Sequence, residues 1–316
     1  MGEPARTGVK MKVAIAGATG FVGSRLVERL TKENNNVVVL TRNAAHAQKV
    51  FPKSAFPNVE VVTATLTTSG EWQNAISGCD GVVNLSGEPI AEGRWSSARK
   101  QEILNSRQLG TAKIVEAITN ANPKPNVLVN ASAIGFYGTS ETDSFDETSS
   151  PGNDFLAQVC QVWESEAQLV KNAGVRLVIL RLGIVLGNGG ALGKMITPFK
   201  LFAGGPLGSG KQWFSWIHLD DVVNLIIQAL TKPEMEGVYN ATAPNPVRMA
   251  QLSETMGKVM GRPSWLPVPS IALEALLGDG AIVVLEGQQV IPQRTLSSGF
   301  NYQYPTLEPA LAEILK

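Results

Sequence analysis

Three glycines, Gly17, Gly20 and Gly23, follow the apolar run Met11–Ala16 and open the amphipathic segment Ser24–Thr31. Strand, glycine turn and helix in that order make the first unit of a dinucleotide-binding fold. The glycines let the backbone turn sharply, come close to a pyrophosphate with no Cβ in the way, and seat the helix on the strand. The helix N-terminus then offers unpaired N–H groups to the phosphates. A second apolar strand, Asn36–Thr41, follows at the spacing of a βαβ unit and ends on Arg42. An acidic residue at that point takes the ribose hydroxyls of NAD, whereas an arginine pairs with a 2′-phosphate. The predicted cofactor is therefore NADP(H).

Further apolar runs at Val59–Thr63, Gly81–Leu85, Asn126–Ser132 and Arg176–Arg181 alternate with helical stretches at Ser97–Asn120 and Asp154–Ala173. This pattern predicts an α/β fold, a Rossmann-type doubly wound parallel sheet, because the strands are apolar on successive residues and so covered on both faces. Cofactor groups then belong at the strand C-termini, at Leu85-Ser86-Gly87, Ala131-Ser132-Ala133 and Arg181-Leu182-Gly183. Beyond Gly187 glycine pairs and the Trp213–Trp216 cluster suggest a smaller C-terminal substrate lobe, with Val238–Asn240 returning to the main sheet. The expected division is 11–187 plus a strand near 236–242 for the cofactor, and 188–235 with 243–316 for the lobe. Within the lobe, Asp220 and Asp221 read as the N-cap and first-turn acid of the apolar helix Val222–Leu230, ordered by His218. Trp213–Trp216 is a candidate pocket roof, and Lys211 a solvated loop lysine.

Composition narrows the partner. Lys+Arg and Asp+Glu number 27 each, with no basic tract, which argues against nucleic acid and points to a small molecule. Cys79 and Cys160 lie far apart, and His46 and His218 lack ligand spacing, so no metal site and a reduced compartment are expected. No apolar run reaches membrane-spanning length. Ile271–Glu286, interrupted by Glu274, Asp279 and Glu286, reads as a packed helical segment. Residues 1–10 lack the apolar core of a secretory signal and read as a leader. The expected location is the bacterial cytoplasm, or the plastid stroma after removal of a transit peptide.

The spacing Gly17-x-x-Gly20-x-x-Gly23, with Asn84-Leu85-Ser86-Gly87, Gly135-Phe136-Tyr137-Gly138 and Ile217-His218-Leu219-Asp220-Asp221, is similar to the extended short-chain dehydrogenase/reductases, relatives of the nucleotide-sugar epimerases. Asn84–Glu88, Arg94-Trp95, Trp163-Glu164, Gly204–Gly210 and Gly287–Pro292 resemble its atypical "epimerase family" branch, whose plastid and cyanobacterial members include plant forms linked to plastid division. The resemblance covers nearly the whole chain. It implies NADP(H) binding, with Thr19, Gly20, Phe21 and Val22 at the pyrophosphate and Thr41 and Arg42 at the adenosine phosphate. Leu85 and Ser86 fall along the cofactor's middle, and Glu102 and Arg107 face it from the helix after the fourth strand; Gly87 and Arg181 join the cofactor site by their places at strand C-terminal ends. Thr65-Leu66 stands where the larger family often has an acidic residue at the adenine.

Hydride chemistry in that larger family uses a serine and a tyrosine, with a lysine four residues after the tyrosine to lower its pKa, since a tyrosine at its usual pKa of about 10 is a poor base. Tyr-x-x-x-Lys is absent here: the fourth residues after Tyr137, Tyr239, Tyr302 and Tyr304 are Glu141, Ala243, Thr306 and Glu308. Anchoring on Trp163-Glu164 puts Leu156 in the tyrosine position and Cys160 in the lysine position. Ser132 matches the family serine, and Tyr137, five residues later, is the best substitute acid. Two readings follow. One is an NADP(H)-dependent oxidoreductase or epimerase acting on a small polar substrate. The other is a binding protein whose cofactor occupancy is read by a protein partner or a second copy, in organelle or cell division.

Overall fold

The apolar runs form strands whose residues are buried in succession, as in Val13–Ala16 and Val82–Asn84. The computed structural model describes residues 10–316; the leader expected at the N-terminus lies almost wholly outside them. In chain order the elements that build the cofactor half are β1 (Lys12–Ala16), α1 (Phe21–Lys32), β2 (Asn36–Thr41), α2 (Ala44–Val50), β3 (Val59–Thr63), β4 (Gly81–Asn84), α3 (Ser97–Asn120), β5 (Val127–Ala133), α4 (Phe155–Gln168) and β6 (Arg176–Leu182). A seventh strand, β7 (Gly237–Ala241), pairs with β6. The order across the sheet is β7-β6-β5-β4-β1-β2-β3, with every pair parallel. Strand order reverses between β1 and β4, so a crevice opens at their C-terminal ends.

Helices cover both faces. Leu26, Val27 and Leu30 of α1 join Val13 and Ile15 in one core, and Ile114 and Ile118 of α3 join Ala14, Val38 and Leu128 in the other. Two more helices, α5 (Gly190–Lys200) and α6 (Leu219–Thr231), follow β6. Expected in the lobe, α6 packs instead beneath the sheet beside α1, because Val222, Val223, Leu225, Ile226 and Ala229 make a stripe too wide to leave in water. Its N-cap is His218, not Asp220: His218 Nδ1 accepts the Asp220 N–H at 3.1 Å. Asp220 pairs with Arg25 of α1 at 2.7 Å. Asp221 is fully buried and accepts the N–H groups of Gln303 and Tyr304, tying the C-terminal segment to this corner.

The lobe has its own core of Leu192 and Phe199 from α5, Phe214, Trp216, helix α7 (Met249–Met260) and the C-terminal helix Leu307–Ile314. The Trp213–Trp216 cluster divides by strand alternation. Phe214 and Trp216 enter this core, while Trp213 and Ser215 face the crevice. Ile271–Glu286 departs from the packed segment expected. Its first helix, α8 (Ser270–Leu277), buries no residue, and Ile271 is 79% exposed.

Two connections join the lobe to the sheet. A strap, Gln288–Val290, pairs with Ser144–Phe145, donates from Gln288 Nε2 to Ile134 O, and exchanges hydrogen bonds with Ser215. Opposite it, α8 and α9 (Ile282–Leu285) form a flap resting on residues 90–100 through a Lys100–Asp279 ion pair and the indole of Trp95 beside Gly280. Among the described residues no helix is long and apolar enough to cross a membrane, and no His/Cys/Asp/Glu group could hold a metal ion.

Candidate functional site

The crevice begins at the glycine turn. Gly17 has φ +80°, and a Cβ on it would stand 2.7 Å from the Leu85 backbone; a Cβ on Gly23 would stand 2.2 Å from Gly17 O. β1, β4 and α1 therefore meet backbone to backbone. Gly20 caps α1 with no side chain in the way, and no acidic residue sits in the helix's first turn, so its free N–H groups and positive dipole end face the crevice. Gly17, Gly20, Phe21, Val22 and Gly23 line one wall and Leu85, Ser86 and Gly87 the other, at one end of a cavity of about 460 Å³. Thr19 lies half-buried within the turn.

At the outer end Arg42 is 76% exposed and meets Glu88 at 3.1 Å. Thr41 Oγ1 accepts the Asn43 N–H. Glu102, expected to face the cofactor, is 62% exposed and pairs with Arg99, which also meets Glu88. An i,i+3 partner on a wet helix face holds it outside the cavity. Arg107, one and a half turns further along α3, does line the cavity. Its guanidinium packs on Gly87, lies 5.0 Å over the Trp163 ring, and donates to the carbonyls of Glu88 and Ile103. No carboxylate among the described residues lies within 4 Å of it, and burial pulls its pKa below the usual guanidinium value.

The inner floor is built where β5 and β6 run side by side, with Ser132 opposite Arg181. Glu164 of α4 joins them in a pair hidden from water. Arg181 Nε and Nη2 donate to Glu164 Oε1 and Oε2, both at 2.8 Å, and Ser132 Oγ donates to Oε1 at 2.7 Å. Arg181 Nη1 reaches Tyr137 Oη at 3.0 Å, Tyr137 donates to Asn240 Oδ1 at 2.6 Å, and the guanidinium lies 3.3 Å over Phe136. Arg181, expected at the cofactor, is thus held beneath the floor by a bidentate carboxylate. Tyr137, expected as the substitute acid, is turned the same way, and desolvation raises its phenol pKa despite Arg181. Ser132 alone of the two expected catalytic residues reaches the cavity.

Leu156 and Cys160 of α4 line the cavity, with Cys160 beside the Ser132–Ala133 strand end. The Cys160 thiol faces Ala133 O at 3.7 Å, and burial pushes its pKa up to about 11, so it is a neutral, apolar wall. In the sequence Glu164 serves only to carry the resemblance and is not read as the partner of Ser132 and Arg181. The available signal was its place one turn after Cys160 on an otherwise apolar face, which obliges a buried cation somewhere.

A switch-point crevice, a glycine turn opening α1 and a lobe closing over the cavity define a Rossmann-type dinucleotide-binding protein. Residues 13–242 match the NAD dependent epimerase/dehydratase family, and the chain belongs to that family. Residues 268–314 match a domain of unknown function, DUF1731. An Arabidopsis thaliana relative, "Epimerase family protein SDR39U1 homolog, chloroplastic", is 51% identical over 310 residues, 97% of this chain and 87% of that protein. Bacillus subtilis YfhF, an epimerase family protein, is 38% identical over 96% of this chain and 98% of its own. The crystal structure of human epimerase family protein SDR39U1 (isoform 2) with NADPH superimposes with a TM-score of 0.86 at 36% identity, covering 96% of this chain and 99% of that one.

Proposed function

We propose that this protein is an NADP(H)-dependent oxidoreductase or epimerase acting on a small molecule held between Ser132 and the lobe. The observation that carries the reading is the unblocked N-terminus of α1 opening on a deep cavity, with a mostly solvent-exposed arginine at its outer end. The human relative's crystallisation with NADPH supports the same cofactor. The pyrophosphate then rests on the N–H groups of the Gly20–Val22 turn, with Gly17, Thr19 and Gly23 shaping the backbone. Arg42 takes the 2′-phosphate in exchange for Glu88, with Thr41 beside it, and Leu85, Ser86 and Gly87 bound the cofactor's middle. Arg107 supplies positive charge from α3. Bound there, the cofactor supplies hydride chemistry, and Ser132 positions the reacting group. The chloroplastic relative favours a plastid setting.

A second reading is a regulatory NADPH-binding protein acting in plastid or cell division. It is favoured by Leu156 and Cys160 where an acid–base pair is expected, and by a phenol turned into the floor. Calorimetric titration with NADPH and NADH tests the cofactor: tight NADPH and weak NADH are expected, and equal affinities refute the role of Arg42. Incubating the protein with deuterated NADPH in source extract separates the two readings. Label in a product establishes an oxidoreductase; binding without label favours regulation.

A further inference from the structure

We infer that the molecule held beside Ser132 is an apolar-bodied alcohol or amine, not an anion such as a nucleoside-diphosphate sugar; this rests on NADP(H) filling the glycine-turn end of the cavity. The argument is an inventory of polarity. Ser132 has one hydrogen, and it goes to Glu164. That carboxylate is fixed by two N–H groups of Arg181 and can only accept, so Ser132 shows the cavity nothing but lone pairs. A carbonyl or oxyanion placed against it meets oxygen to oxygen. A hydroxyl or ammonium meets an acceptor.

Other single-donor side chains of the lining are also engaged, save Trp163 beside Arg107, whose indole N–H has no partner but is closed off from solvent. Ser215 donates to Gln288 O, Thr139 to Glu286, and Trp213 to Glu141 O. Charge follows the same pattern. Arg107 is the one lysine or arginine among the described residues that line the cavity, and it packs on Gly87, at the cofactor's end. Away from that end the lining carries two carboxylates instead. Asp154 uses Oδ1 to cap α4 and leaves Oδ2 near Gly138, and Glu286 stands at the mouth. A diphosphate brought here loses its water and finds no cation, which is strongly unfavourable. Between these polar points the wall is Leu156, Val159, Cys160, Ile282 and Val283, a surface for a hydrocarbon body.

Ligand-observed NMR on the NADPH-loaded protein tests this with 2-phenylethanol, 2-phenylethylamine, phenylacetate and UDP-glucose as probes. The alcohol and the amine bind at least tenfold more tightly than phenylacetate, and UDP-glucose gives no signal. Ser132→Ala weakens the alcohol about tenfold; should that variant not fold, the four-probe series on the unaltered protein decides alone. Phenylacetate or UDP-glucose binding as tightly as the alcohol, or no binding by alcohol and amine alike, overturns the inference. If NADPH itself does not bind, the cofactor reading falls and takes the inference with it.

Discussion

Removing one half of the Glu164–Arg181 pair strands the other half. The two side chains are only 9% and 5% exposed, and the guanidinium has Glu164 at its edge and the Phe136 ring over its face. In Arg181→Met the carboxylate stays buried with the Ser132 hydroxyl as its remaining donor; in Glu164→Leu the guanidinium stays buried with one phenol. Breaking such a pair costs about 3–5 kcal/mol. A chain of this length loses roughly 2 °C of Tm per kcal/mol, so each single variant should melt about 6–10 °C lower. The double variant Glu164→Leu/Arg181→Met removes both desolvated charges, keeps the volume and leaves Tyr137 bonded to Asn240. It should lie within about 1 kcal/mol of the parent, giving a coupling of about 5 kcal/mol or more in a double-mutant cycle followed by urea unfolding. Single variants costing under about 1 kcal/mol, or a double variant as costly as their sum, refute the account. The double variant also frees the Ser132 hydrogen, so its cavity should gain affinity for phenylacetate.

Arg42→Ala should weaken NADPH by about 1.5–3 kcal/mol, the range for hydrogen bonds to a charged group, and leave NADH nearly unchanged; equal losses in calorimetry sink the assignment. Gly23→Ala pushes a methyl into Gly17 O and should abolish binding of both nucleotides, whereas a folded variant that still binds NADPH removes the glycine turn from the site. Cys79 and Cys160 have an ordinary thiol pKa of 9.0, and burial raises each to about 11. The unfolded chain therefore holds fewer protons than the folded one between those values, and stability should fall as pH rises from 9 toward 11. Replacing both cysteines with alanine should flatten that slope in urea titrations, and an unchanged slope assigns it to other groups.

The cofactor half was legible because its signals are local. Gly17, Gly20 and Gly23 are needed by contacts within one βα turn and the neighbouring β4 end, and consecutive valines state burial on both faces. Arg181 was misplaced because its place near a strand's end does not say which face of the sheet its side chain takes. Its partner, Glu164, lies on a helix that only the packed fold brings alongside. Tyr137 failed for the same reason: five residues from Ser132 in sequence, its hydroxyl is directed by Asn240 of β7, more than a hundred residues away. Exposed Ile271 was unreadable since its apolar content says nothing about whether a surface arrives to cover it.

The strap and the flap fasten the lobe unequally. The strap is held by largely buried hydrogen bonds through Ser215, Gln288 and Ile134, which salt does not screen. The flap is held by Ile282 and Val283 packed on Trp95, Ile103 and Val159, and by Lys100–Asp279, an exposed pair that weakens with ionic strength. Only the flap side of the lobe therefore carries a salt-sensitive fastening: concentrated salt should speed hydrogen exchange in residues 270–286 while leaving 288–290 unchanged, and Asp279→Asn should reduce that response.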